Sequence, residues 1–171
     1  MKQRSNSELA RLLKQLQLSE FTGNTYSLLH EFGEADFQEA VQTVEGYLTN
    51  SNAELRFIAL SVLVLHWRRP EYRNAAERML SDDDADVRRM AADALGVLSQ
   101  NTRDARVFSL LLARIDDSAE EWHVRDTAYQ AIQKALGQTP DYSRLGKPMT
   151  WPDDARGDVI AEARAIAENS Q

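Results

Sequence analysis

The chain has 171 residues with 20 basic and 27 acidic side chains, a formal charge of −7, so its surface on average repels a phosphate backbone and favours a basic partner. It contains no cysteine, which excludes disulfides and thiolate metal sites, and no apolar run reaches the ~18 residues that span a bilayer. Its 43% hydrophobic and 27% charged residues are ordinary globular usage, enough for one domain with a buried core.

The polar opening MKQRSNSE lacks the apolar segment of a secretory signal, and a cytoplasmic protein is expected. Glu8 to Leu18 then carries Leu9, Leu12, Leu13 and Leu16 at helical spacing, with Ser7 as the expected cap. Asn24 to Phe32 follows with Tyr26, Leu28, Leu29 and Phe32, bracketed by Gly23 and Gly33. Gly33 is expected to end that helix. This pair aligns poorly with what comes next, so residues 1–35 are read as an N-terminal helical cap on an array of repeats.

Residues 36–137 carry those repeats, as three helix pairs. Phe37, Val41, Val44 and Leu48 mark a first helix, and Ala53 to Trp67 its partner. Tyr72, Ala76, Met79 and Leu80 mark the next, followed by Ala85 to Leu98. Val107, Phe108, Leu111, Leu112 and Ile115 mark the third, followed by Glu121 to Leu136, which Gly137 ends. The pairs overlay at Leu55-Arg56, Val87-Arg88 and Val124-Arg125, then at Ala59, Ala91 and Ala128. Arg56 and Arg88 are 32 residues apart and Arg88 and Arg125 are 37 apart, the extra length lying mostly in the turn SAEEWH. Residues 138–150, with Pro140, Gly146 and Pro148, read as a connector. Residues 151–171 read as a C-terminal helix opened by Trp151-Pro152-Asp153-Asp154, with Val159, Ile160, Ala163, Ile166 and Ala167 on one face.

The stretch DDDADVRRMAADALGVL, Asp82 to Leu98, resembles the second helix of a HEAT-like repeat, in which an acidic turn precedes Val-Arg and an Ala-rich apolar helix. The 32-residue period resembles the compact repeats of bilin lyase subunits. The resemblance implies an all-α, right-handed α-solenoid of about three HEAT-like helix pairs with N- and C-terminal helical caps. It also implies that Arg56, Arg88 and Arg125 brace the acidic turns of their own or a neighbouring repeat, as a planar guanidinium pairing with carboxylates can. In such an array Phe57, Leu60, Ser61 and Val64, then Arg89, Ala92, Asp93 and Gly96, then Asp126, Tyr129, Gln130 and Gln133 would line the concave groove. The first set is apolar and is expected to be covered by the N-terminal cap rather than left as an open patch, since FIALSVLVLHW is hydrophobic nearly all round.

Little in the chain points to chemistry. Asp82, Asp83 and Asp84 lack the Gly and Glu spacing of a calcium loop and read as helix caps. His30-Glu31 resembles the His-Glu pairs of the HEAT-type di-iron hydroxylase, but it stands alone, because neither His66 nor His123 precedes a Glu. There is no Gly-rich phosphate loop, nucleophilic triad or cysteine nucleophile. No catalytic, cofactor-binding or metal-binding residue is therefore assigned, and no cofactor is expected.

Acidic side chains cluster at residues 81–90 and 116–126, in turns that superposition of the repeats places along one edge. That edge, with Asp82, Asp83, Asp86, Asp117, Glu120 and Glu121, is the expected partner-binding surface, anchored by Trp122 on the inserted turn. Arg89, Asp93 and Tyr129 are the groove candidates. The expected function is non-catalytic binding of a protein with a basic surface, as an inhibitor or immunity protein binds a basic toxin. An accessory subunit of a lyase or chaperone-like system is the alternative. A HEAT-like alkylpurine DNA glycosylase ranks behind both, because Trp67, Arg68, Arg69, Trp122 and Tyr129 supply only a little of its basic, aromatic groove.

Overall fold

The computed structural model describes residues 4–140, 147–148, 150–151 and 153–169, and among them there are helices and turns but no strand. The chain divides into two compact units, residues 1–72 and 73–171.

The first unit opens with α1 (Asn6–Gln17), capped by Ser5 rather than Ser7. Ser5 accepts from the Glu8 amide while the Glu8 carboxylate accepts from the Ser5 amide, a reciprocal capping box. Helix α2 (Thr25–Glu34) runs through Gly33 and ends at Ala35, so the glycine expected to stop the helix lies inside it. Its reason is packing. A Cβ on Gly33 would sit 3.0 Å from Cγ of His66 and 3.1 Å from Cγ2 of Val62. Helix α3 (Val41–Gly46) is flanked by single 3-10 turns at Gln38–Ala40 and Tyr47–Thr49. Helix α4 (Ala53–Leu60) continues into a π-helical turn, Ser61–His66, in which the Trp67 amide donates to the Val62 carbonyl at 3.0 Å. Leu60, Ser61 and Val64 are buried and Phe57 is half-buried, and α2 packs against both α4 and the π turn, so three of the four apolar-set residues are covered.

In the second unit, α5 (Arg73–Met79) pairs with α6 (Ala85–Leu98), and α7 (Ala105–Asp116) with α8 (Trp122–Ala135). Asp84 caps α6 by accepting from the Val87 amide at 3.1 Å, and Asp104 caps α7 through the Arg106 and Val107 amides. Helix α6 lies along α8, and the fit is close because a Cβ on Gly96 would stand 2.8 Å from the Ala131 Cα. Gly137, at φ +79°, stops α8: its amide bonds Lys134 O and the Gln138 amide bonds Gln133 O, which closes a Schellman turn. Helix α9 (Gly157–Glu168) packs on α7 and buries Val159 and Ala163. Its start is six residues later than Trp151, which lies in a turn; Pro152 is outside the described residues.

Candidate protein-binding edge

Each interhelical turn is fixed from within by an arginine. Arg56 Nη1 donates to the carbonyls of Asn50 at 2.8 Å and Ser51 at 3.2 Å. Arg88 Nη1 does the same to Asp82 at 2.9 Å and Asp83 at 3.1 Å, six and five residues before it in both cases. In the third pair the inserted turn intervenes, and Arg125 Nε donates to the carbonyl of Ile115 at 3.0 Å. The ladder is thus structural, as the resemblance implies. In all three pairs the arginine reaches carbonyls at or just past the end of the preceding helical segment, which a helix end leaves without intrahelical partners, so this contact needs no acidic side chain.

Arg88 also has a carboxylate partner. Its Nε and Nη2 donate to Glu120, the shortest contact being 2.7 Å, and Arg114 approaches the same carboxylate at 3.5 Å. The Glu120 side chain is 2% exposed. Burial pushes its carboxyl up, but the Arg88 hydrogen bonds, the Glu121 amide and the two guanidinium charges outweigh this and hold it below the usual glutamate range. Glu120 was expected on the binding edge and is instead an internal brace from the inserted turn to α6. Tyr129 is also withdrawn from the groove: it is buried, its hydroxyl accepts from the Arg156 amide at 3.0 Å, and the Trp151 ring meets it edge-on at 5.5 Å. Arg125 lies over the same Trp151 ring at 5.4 Å. Ala92, Gly96, Asp126 and Gln133 are buried as well. Among the expected groove residues, the face of α6 and α8 is largely closed by the helix pair itself and by the segment before α9.

The remaining edge candidates stay at the surface. The N-termini of α6 and α8 lie side by side, as His123 and Asp86 show by approaching to 3.9 Å. Asp83, Asp86, Asp117 and Glu121 are exposed there, and Asp82 is half-buried. Asp86 pairs with Arg89 at 3.2 Å one turn on. Asp93 is held at 2.6 Å by Lys134, which fixes α6 to α8 rather than facing a groove. Trp122 is 38% exposed, and among the described residues only it and Leu18 are large apolar side chains left in the open. The edge therefore joins four exposed carboxylates from two successive turns to one exposed indole.

Two features were not foreseen from the sequence. Arg164 reaches Asp116 at 2.6 Å beside a cleft of ≈ 440 Å³ that Ile115, Arg125, Trp151 and Ile160 help to line. His30 and His66 come together with Glu34, not with Glu31, which pairs with Arg4. The sequence held a signal for the second of these, since residues 30 and 34 are one helical turn apart on α2. It held none for His66, whose place depends on the π turn.

No helix among the described residues is long and apolar enough to cross a membrane. A search of curated proteins finds no match. A family model described as HEAT repeats matches residues 42–133 and, overlapping, residues 74–164, which together take in well over half of the chain. Repeating helix pairs, arginines anchored on turn carbonyls and this match agree, and the chain belongs to the HEAT-repeat family.

Proposed function

We propose that the chain is a non-catalytic binding module that docks a basic protein surface on the acidic edge of residues 73–171, in the manner of an inhibitor or immunity protein. HEAT repeats are in general protein-interaction modules, so a protein partner is the family's own expectation. The observation that carries the choice of edge is the exposure of Asp83, Asp86, Asp117 and Glu121 around Trp122, while the groove candidates Tyr129 and Asp93 are engaged internally. Carboxylates at this density raise the rate of encounter with a cationic surface, and the indole supplies apolar area that is desolvated on docking.

The test is capture from a lysate of the native cell by the immobilised chain, with the captured protein then purified and its association rate measured against salt. A basic protein is expected, with an association rate that falls steeply between low salt and 0.15 M, where screening acts beyond ~8 Å. Asp86→Lys with Glu121→Lys should slow association at least tenfold and leave the far-ultraviolet circular dichroism unchanged. Equal capture by wild type and double variant would remove the edge from the binding surface. Release of bases from alkylated DNA by the purified chain would overturn the non-catalytic reading altogether.

A further inference from the structure

In the first unit three side chains of metal-ligating type converge, and neither the core nor the acidic edge accounts for them. His30 and Glu34 lie one turn apart on α2, and His66 ends the π turn that follows α4. One ligand atom from each lies within 4.8 Å of the other two, the single such group of His, Asp or Glu among the described residues. His66 Nδ1 is 3.5 Å from a Glu34 carboxylate oxygen, and the two imidazoles meet edge to face at 5.8 Å.

Two local features bring them together. Gly33, between the two α2 residues, is buried in the last turn of α2. It is the residue that admits the imidazole, since a Cβ there would meet His66 Cγ at 3.0 Å and Cδ2 at 3.2 Å. The π turn adds a residue to the helix just before His66 and so changes the direction in which that side chain leaves it, the usual reason for a single π turn at a functional site.

We propose that His30, Glu34 and His66 together bind one zinc ion. Two neutral imidazoles and a carboxylate form a borderline donor set that suits Zn²⁺, and a three-residue set of this composition leaves the fourth tetrahedral position to water. Calcium and magnesium take oxygen donors and fit it poorly. With metal–ligand bonds of about 2.0–2.2 Å, tetrahedral donors stand about 3.3–3.6 Å apart; His66 Nδ1 and the Glu34 carboxylate already do, at 3.5 Å, so the adjustment falls mainly on His30. His30 and Glu34 are exposed and free to rotate, whereas His66, lodged against Gly33, is the fixed ligand. Zinc bound there ties the end of α2 to the helix beside it, within residues 1–72.

The experiment is a calorimetric titration of the full chain, stripped with chelator, with zinc chloride at pH 7.5, followed by cobalt(II) as a spectroscopic probe of coordination. One equivalent of zinc should bind, and cobalt should give the strong visible absorption of a tetrahedral site. Glu34→Gln and His30→Gln change exposed side chains, so both should keep the wild-type circular dichroism while weakening zinc at least tenfold. His66→Ala should abolish the cobalt spectrum. His123→Ala, which alters the histidine outside the cluster, should leave zinc affinity within twofold. Affinity within twofold of wild type in Glu34→Gln and His30→Gln, binding lost in His123→Ala, or no zinc bound at all would each overturn the assignment and leave His66 and Glu34 as a polar contact between neighbouring helices.

Discussion

Gly96→Ala sets a sequence-based expectation against the packing of α6 on α8. Within a helix, alanine is favoured over glycine by roughly 1 kcal/mol, so on propensity alone the change stabilises. The new Cβ, however, would lie 2.8 Å from both Cα and Cβ of Ala131, against an optimum of about 3.5–4.0 Å. One of the two atoms belongs to the backbone, so no rotamer change relieves the contact, and α6 and α8 must part by about 0.7–1.2 Å to reach that optimum. Overpacking of this kind costs about 1–3 kcal/mol. The net is a loss of about 1 kcal/mol, or about 4–8 °C in Tm for a unit of this size. Gly157→Ala is the control within the same unit, because nothing lies within 4 Å of its added Cβ and it should leave Tm unchanged or raise it. Circular dichroism melts of the two variants decide the matter. A Gly96→Ala protein that melts at or above wild type would show that α6 and α8 are not in backbone contact at this point.

Arg88→Ala leaves the buried Glu120 carboxylate with only the Glu121 amide and the 3.5 Å approach of Arg114, and removes the link to the Asp82 and Asp83 carbonyls; stability measured by urea titration should fall by about 3 kcal/mol. Glu120→Gln keeps the shape but loses the charge-assisted bonds, at a cost of about 2 kcal/mol near neutral pH. The pH dependence follows from the same pair. Because the folded state holds the Glu120 carboxyl below its unfolded value of about 4.3, its contribution is complete above that pH and disappears as pH falls through the lower folded value. Wild type and Glu120→Gln should therefore draw together in stability as pH falls below the unfolded value and through the lower folded one, and a difference that does not shrink on acidification would show that the charge is not what Glu120 contributes.

The sequence was most legible where several local signals coincided. Helix α6 runs from Ala85 to Leu98, the bounds its spacing predicts, because the Asp84 cap, the aspartate-rich start and the apolar stripe agree. Gly137 ends α8 for the same reason, a left-handed residue that glycine adopts without strain. Gly33 carried the same letter and the opposite meaning. Its role depends on His66, 33 positions away, and no local pattern reports that. The π turn was hidden because Ile58 to Leu65 is apolar on every side, so periodicity says nothing about how many residues fill a turn. For the binding edge, charge clustering identified Asp86, Asp117 and Glu121 as surface groups. It could not separate them from Glu120, which the inserted turn folds back onto Arg88.

That separation also governs how the edge can be tested. A carboxylate at the start of a helix does two things at once: it satisfies amides and it sets the local field. Asp84 accepts from the Val87 amide and Asp117 from the Ala119 amide, so replacing either would change the turn and the charge together. Asp86 lies in the first turn of α6 and pairs only with side chains among its described contacts, and Glu121 precedes α8 without making a side-chain cap bond. Each contributes to its helix about 0.3–1 kcal/mol through the field at the N-terminus. The neutral variants Asp86→Asn and Glu121→Gln should thus fold almost as wild type does, while halving the exposed charge among Asp83, Asp86, Asp117 and Glu121. If docking is steered by that charge, the neutral pair should slow association and flatten its salt dependence while the dissociation rate stays nearly constant, because steering acts before contact. A change confined to dissociation would instead place these two carboxylates in direct contact with the partner.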